Sequence, residues 1–85
     1  MPEISRFFGI VIQMYFSDHQ TPHFHARYGG KRAVVQIRTL KAMSNLSPRV
    51  LGFVVEWARL HQQELLENWE RARRGEELLE IEPLE

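Results

Sequence analysis

The run FFGIVIQMYF at 7–16 is β-branched and aromatic throughout, and it reads as a strand. Strict alternation puts Phe8, Ile10, Ile12, Met14 and Phe16 on one side and Phe7, Val11, Gln13 and Tyr15 on the other. Both sides are largely apolar, which suits the best-covered strand of a sheet. SDHQTP at 17–22 is a turn, and HFHARY at 23–28 alternates again. There Phe24, Ala26 and Tyr28 point one way and His23, His25 and Arg27 the other. Gly29-Gly30 is a two-residue hairpin signal, and RAVVQIRTL at 32–40 is the third strand.

Closing the turn at Gly29-Gly30 pairs Tyr28 with Lys31. It then sets Phe24 opposite Val35, His25 opposite Val34 and Ala26 opposite Ala33. The 17–22 turn sets Phe16 beside Phe24 and Tyr15 beside His25. One face of the meander then collects Gln13, Tyr15, His23, His25, Arg27, Arg32, Gln36 and Arg38.

KAMSNLS reads as a connector into a helix. Ser47 suits the N-cap and Pro48 the first helical position. Helical sequence runs on to Arg74, and Gly75 is a natural stop. The stretch is long for a small domain, so a kink, or two helices meeting near Leu60–Gln63, is expected. Val50, Val54, Trp57, Ala58, His61, Leu65, Trp69 and Ala72 keep the i, i+3, i+4 spacing of a core stripe. ELLEIEP at 77–83 alternates weakly, as a short edge strand would. Leu84-Glu85 reads as a remnant of a removed purification tag. The expectation is one α+β domain over 1–83: a three-stranded antiparallel meander, four-stranded if 77–83 joins it, packed against one long or broken C-terminal helix.

Eighty-five residues hold one small core. Cysteine is absent, which excludes disulfides, thiol catalysis and cysteine-ligated zinc and fits a reducing cytosol. The apolar N-terminal run is too short to span a bilayer and lacks the marks of a signal peptide, so a cytoplasmic protein is expected with no membrane role. The net charge of zero hides an asymmetry. Residues 1–49 hold seven basic groups against two acids, +5, and residues 50–85 hold four against nine, −5. Nine of the eleven cations are arginine, the side chain that grips phosphate and carboxylate bidentately.

The candidate chemistry lies in SDHQTPHFHARYGG. His23 and His25, two apart on a strand, share a face, as metal ligands would. Zinc needs further donors such as Asp18, His19 or His61. His61 belongs to the helix stripe on the other side of the sheet, and Arg27 puts positive charge beside any cation, so no metal and no cofactor are expected. Two histidines beside an arginine could cleave RNA, one as base and one as acid. The same face could bind nucleic acid without chemistry, though zero net charge argues against strong non-specific binding. A free sheet edge and the paired Trp57 and Trp69 could instead present a protein interface, and the cluster could simply shape the hairpin. Tyr15, Asp18, His19, His23, His25, Arg27 and Arg38 are the candidate functional residues; none is assigned a catalytic role, and the reading leans against an enzyme.

Two stretches, ISRFFGIVIQMYFSDHQTPHFHARYG at 4–29 and VVEWARLHQQELLENWERARRGEELLEIEP at 54–83, resemble a family of small bacterial proteins known as domain of unknown function 4160. The chain departs from the family's motif at Thr21, where a second proline is expected. The resemblance implies a toxin–antitoxin-like gene context and a protein partner encoded nearby. It implies no activity for the histidines. The expected function is therefore an interaction module of such a pair, with a histidine-dependent RNase or nucleic-acid-binding toxin acting through His23, His25 and Arg27 as the alternative.

Overall fold

The computed structural model describes residues 3–16 and 21–85. Five antiparallel strands lie in sequence order: β1 (Glu3–Phe7), β2 (Ile10–Gln13), β3 (His23–Tyr28), β4 (Lys31–Gln36) and β5 (Ala42–Ser44). Two helices follow, α1 (Pro48–Leu60) and α2 (Gln62–Arg73). The α+β architecture and the meander are as expected; the strand count is not.

The expected strand 7–16 is in fact the second arm of a hairpin and part of the first. Phe7 pairs with Ile10, leaving Phe8-Gly9 as a two-residue turn. Their φ angles of +53° and +79° are both positive, as a type I′ turn requires. The turn puts Phe7 on the same side as Ile10, not opposite it. Phe7 is buried, its ring centroid 5.5 Å from that of Trp57, whereas Phe8 stands in solvent. The expected strand 32–40 also divides. β4 ends at Gln36, the chain turns with Leu40 at φ +62°, and 42–44 returns as β5 in what the sequence suggested was a connector.

The β3–β4 register is the expected one: Tyr28↔Lys31, Ala26↔Ala33, His25↔Val34 and Phe24↔Val35. Between β2 and β3 the pairing is Gln13↔His25, two residues from the expected alignment. A two-residue offset preserves which side each residue faces, so the His23–His25–Arg27 face survives it.

Ser47 caps α1, its hydroxyl accepting from the Val50 amide, and Pro48 opens the helix. Continuity fails at His61, which ends α1 and begins α2 at φ −124°, inside the expected span. Gln62 Nε2 then donates to the carbonyl of Ile37 at 2.8 Å, fixing the break against the turn after β4. At the far end Gly75, at φ +74°, and Glu76 donate back to the carbonyls of Ala72 and Arg71, the Schellman pattern.

Ile10, Ile12, Met14, Phe24, Ala26, Ala33, Val35 and Ile37 line the inner side of the sheet. Val54, Trp57, Ala58, Leu65 and Trp69 cover it from the helices. The segment 77–83 is not a strand. It runs as an extended strap, with one backbone bond from the Ile81 amide to the Ile4 carbonyl beside β1. Side chains hold the rest of it. Asn68 donates to the Leu79 carbonyl at 2.8 Å and accepts from the Leu79 amide at 2.9 Å, while Trp57 Nε1 donates to the Glu82 carbonyl at 2.8 Å. Leu84 packs on the edge of the core.

Candidate functional site

The sheet has an inner face under the helices and an outer face. On β3 the outer face carries His23, His25 and Arg27, because Phe24 and Ala26 take the inner one. Directly across β4 stand Gln36, Val34 and Arg32. Across β2, Gln13 meets His25 and Val11 meets Arg27. A row of outward positions therefore crosses four strands as Arg6, Val11, Arg27 and Arg32. Arg6 is neutralised by Glu3, at 2.8 Å. Among the described residues no carboxylate pairs with Arg27 or Arg32.

His23 lies at the closed end of this face. It is buried, with its ring 5.1 Å from Trp69 and 5.3 Å from His25. Its Nδ1 is 2.9 Å from the Thr21 carbonyl, which can only accept. Nδ1 therefore carries a proton, and in the neutral ring Nε2 keeps the lone pair. His25 is half-buried and packs edge-on to Tyr15 at 5.1 Å. Burial, then the neighbouring His23, then the positive field of Arg32 hold its pKa below the ordinary 6.5. His25 is thus neutral at physiological pH.

Tyr15, His25, Arg27, Arg32 and Gln13 surround a hollow of about 210 Å³. Of the expected site residues, Tyr15, His23, His25 and Arg27 come together here. Arg38 does not: it is exposed in the turn after β4. Asp18 and His19 lie outside the described residues. Arg32 and Gln13, already placed on this face by the alternation, are the residues that complete the hollow. Among the described residues no three of His, Cys, Asp or Glu stand together as a metal site would need. His61 sits away from this face, half-buried on Trp57 at 5.5 Å and bonded through Nδ1 to Glu64 at 2.6 Å.

A second surface escaped the sequence reading. On the inner side, at the N-terminal end of α1, Phe8, Ile10, Tyr28, Arg49, Val50 and Phe53 line an open groove of about 560 Å³. The Phe8 and Phe53 rings meet edge-on at 5.1 Å, and the Arg49 guanidinium lies 5.9 Å from the Phe53 centroid. Phe8 is 52% exposed and Tyr28 42%. Gly9, at φ +79°, lies against Tyr28, whose ring an added Cβ would meet at an ordinary contact distance of 3.4 Å. The one legible signal was Gly9 itself, a glycine inside an apparent strand.

No helix among the described residues is long and apolar enough to cross a membrane. A search of curated proteins and a search of solved structures found no significant match. One family model does match, over residues 9–70, and its description is "Domain of unknown function (DUF4160)".

Proposed function

The chain belongs to the DUF4160 family, and from that membership we propose that it is a small cytoplasmic interaction module, one half of a toxin–antitoxin-like pair whose other half is a protein encoded nearby. The gene context that the resemblance implies supports the pairing. The observation that carries the docking is the aromatic groove. Exposed apolar surface on a small protein marks an interaction site when it is contiguous and rimmed by polar groups. Here two exposed rings, a half-buried one and an arginine without a carboxylate among the described residues share one concave surface.

Phe8 strengthens this reading. A bulky residue at positive φ costs about 1–2 kcal/mol, and this one leaves its ring half in water. Asparagine or glycine would make a better turn. The ring is therefore placed where folding gains least and a partner gains most. The complementary partner presents an apolar side chain for Phe8, Tyr28 and Phe53, with a carboxylate nearby for Arg49.

Co-expression with the product of the neighbouring gene, followed by light scattering, tests the proposal. The wild type should form a complex of defined mass. Phe8→Asn should keep the fold, because Asn-Gly is the preferred type I′ pair, and lose the complex; Phe53→Ser should lose it too. Failure of any complex to form, or a complex indifferent to both substitutions, refutes the proposal. RNA decay that disappears in His25→Ala would instead favour the competing RNase or nucleic-acid-binding reading, which Arg27 and Arg32, without a carboxylate partner among the described residues, support.

A further inference from the structure

We infer that the hollow on the outer face, between Gln13, Tyr15, His25, Arg27 and Arg32, binds a phosphate group carried as a monoester. Three independent features point there. Arg27 and Arg32 are direct cross-strand partners. Like charges so placed repel, and among the described residues no carboxylate relieves them. Arg6, in the same outward row, is by contrast met by Glu3 at 2.8 Å.

The second feature is Gln13. It is 94% buried, since 6% of it is exposed, and it lines the hollow. Its side-chain amide makes no hydrogen bond to any described residue. Because Gln13 lines the hollow, a ligand oxygen there gives its amide N–H a hydrogen-bond partner. The third is His25, whose neutral ring offers one N–H donor without adding charge.

Size and charge select the ligand. A hollow of about 210 Å³ is smaller than the ~300–1,000 Å³ of sites that enclose a whole drug-sized molecule. It takes one group, with the remainder of the ligand outside. Two guanidinium forks on adjacent strands match several oxygens of a tetrahedral anion. A monoester carries about −1.5 to −2 charges at neutral pH and balances both arginines. A carboxylate, with one charge, leaves one arginine uncompensated. The positive field excludes a metal cation. This site is independent of the partner groove, which lies on the other side of the sheet.

The test is an NMR titration of the isotope-labelled chain with inorganic phosphate, with uridine 5′-monophosphate and with acetate, at constant ionic strength. Phosphate should shift the His25 ring and the Arg27 and Arg32 Nε signals saturably, and should move the His25 pKa upward. Arg27→Ala and Arg32→Ala should each weaken binding by about tenfold to a hundredfold, the range for a lost charge-assisted bond. Arg38→Ala, off the hollow, should not. The alanine variants should keep the wild-type amide spectrum and melt no lower, because each removes a repulsion. Tighter binding of the nucleotide than of phosphate identifies the source as a nucleotide or a 5′-phosphorylated strand end; equal affinity shows that the phosphate alone is read. Acetate binding as well as phosphate, no saturable shift, or equal losses in all three arginine variants would overturn the inference.

Discussion

Replacing Asn68 by alanine should release the C-terminal strap. Asn68 is 1% exposed, and its amide clasps both backbone groups of Leu79, at 2.8 and 2.9 Å. Each bond is worth about 1 kcal/mol net. Leu79 is 48% exposed, so water can reclaim part of its backbone, and the full penalty for an orphaned buried group does not apply. The truncation also opens a small cavity at this buried position. The sum is a loss of about 2–3 kcal/mol, a large share of the ~4–13 kcal/mol expected for 85 residues. Asn68→Leu restores most of the volume without the clasp, so it should still lose about 2 kcal/mol. Urea denaturation measures both losses, and hydrogen exchange locates them. The Leu79 and Ile81 amides should lose protection while the β3–β4 amides lose only what the global change requires. A loss below about 0.5 kcal/mol in both variants, with Leu79 and Ile81 still protected, would refute the view that this side chain holds the strap.

The pH dependence follows from His25. Its folded pKa lies below 6.5, so the unfolded chain binds the proton more readily. The contribution to stability is fully present above about pH 6.5 and is lost as pH falls through the folded value; His25→Gln should flatten this acid limb in denaturation curves taken across that range. Trp57→Phe removes the donor to the Glu82 carbonyl and part of a fully buried ring, and should cost about 2 kcal/mol by the same measurement. Gly75→Ala should cost about 1 kcal/mol in thermal unfolding, purely through φ +74°, since nothing stands within 4 Å of the added carbon.

Particular residues explain what the sequence could and could not convey. Gly29-Gly30 is a turn signal flanked by clean alternation, so the β3–β4 register followed from it directly. Phe8-Gly9 is also a two-residue turn, with φ positive at both residues where the other has it at Gly29 alone, and it carries half of that signal. Alternation runs through it unbroken, and the period alone cannot show that the chain has reversed. Leu40 hides the β4–β5 turn in the same way, because leucine at positive φ is not a turn residue by propensity. The helix break was legible from length, and its position at His61 fell inside the expected interval. The strap was left open as a fourth strand because weak alternation does not distinguish a backbone ladder from a clasp made by side chains. Asn68, the residue that makes the clasp, was not singled out, though it sits three residues from Leu65 on the buried stripe. The histidine face was readable because period two places His23, His25 and Arg27 together whatever the neighbouring register. The aromatic groove was not, because it joins residues from a turn, two strands and a helix that no local pattern links.

On the proposed function, a protein partner docks on the aromatic groove while the outer face of the sheet serves another ligand. Mapping amide shifts of the labelled chain on addition of the neighbouring gene's product tests it most directly. Perturbations are expected at Phe8, Tyr28, Arg49 and Phe53, with His23, His25 and Arg27 left in place. Perturbations confined to the histidine and arginine face would contradict it.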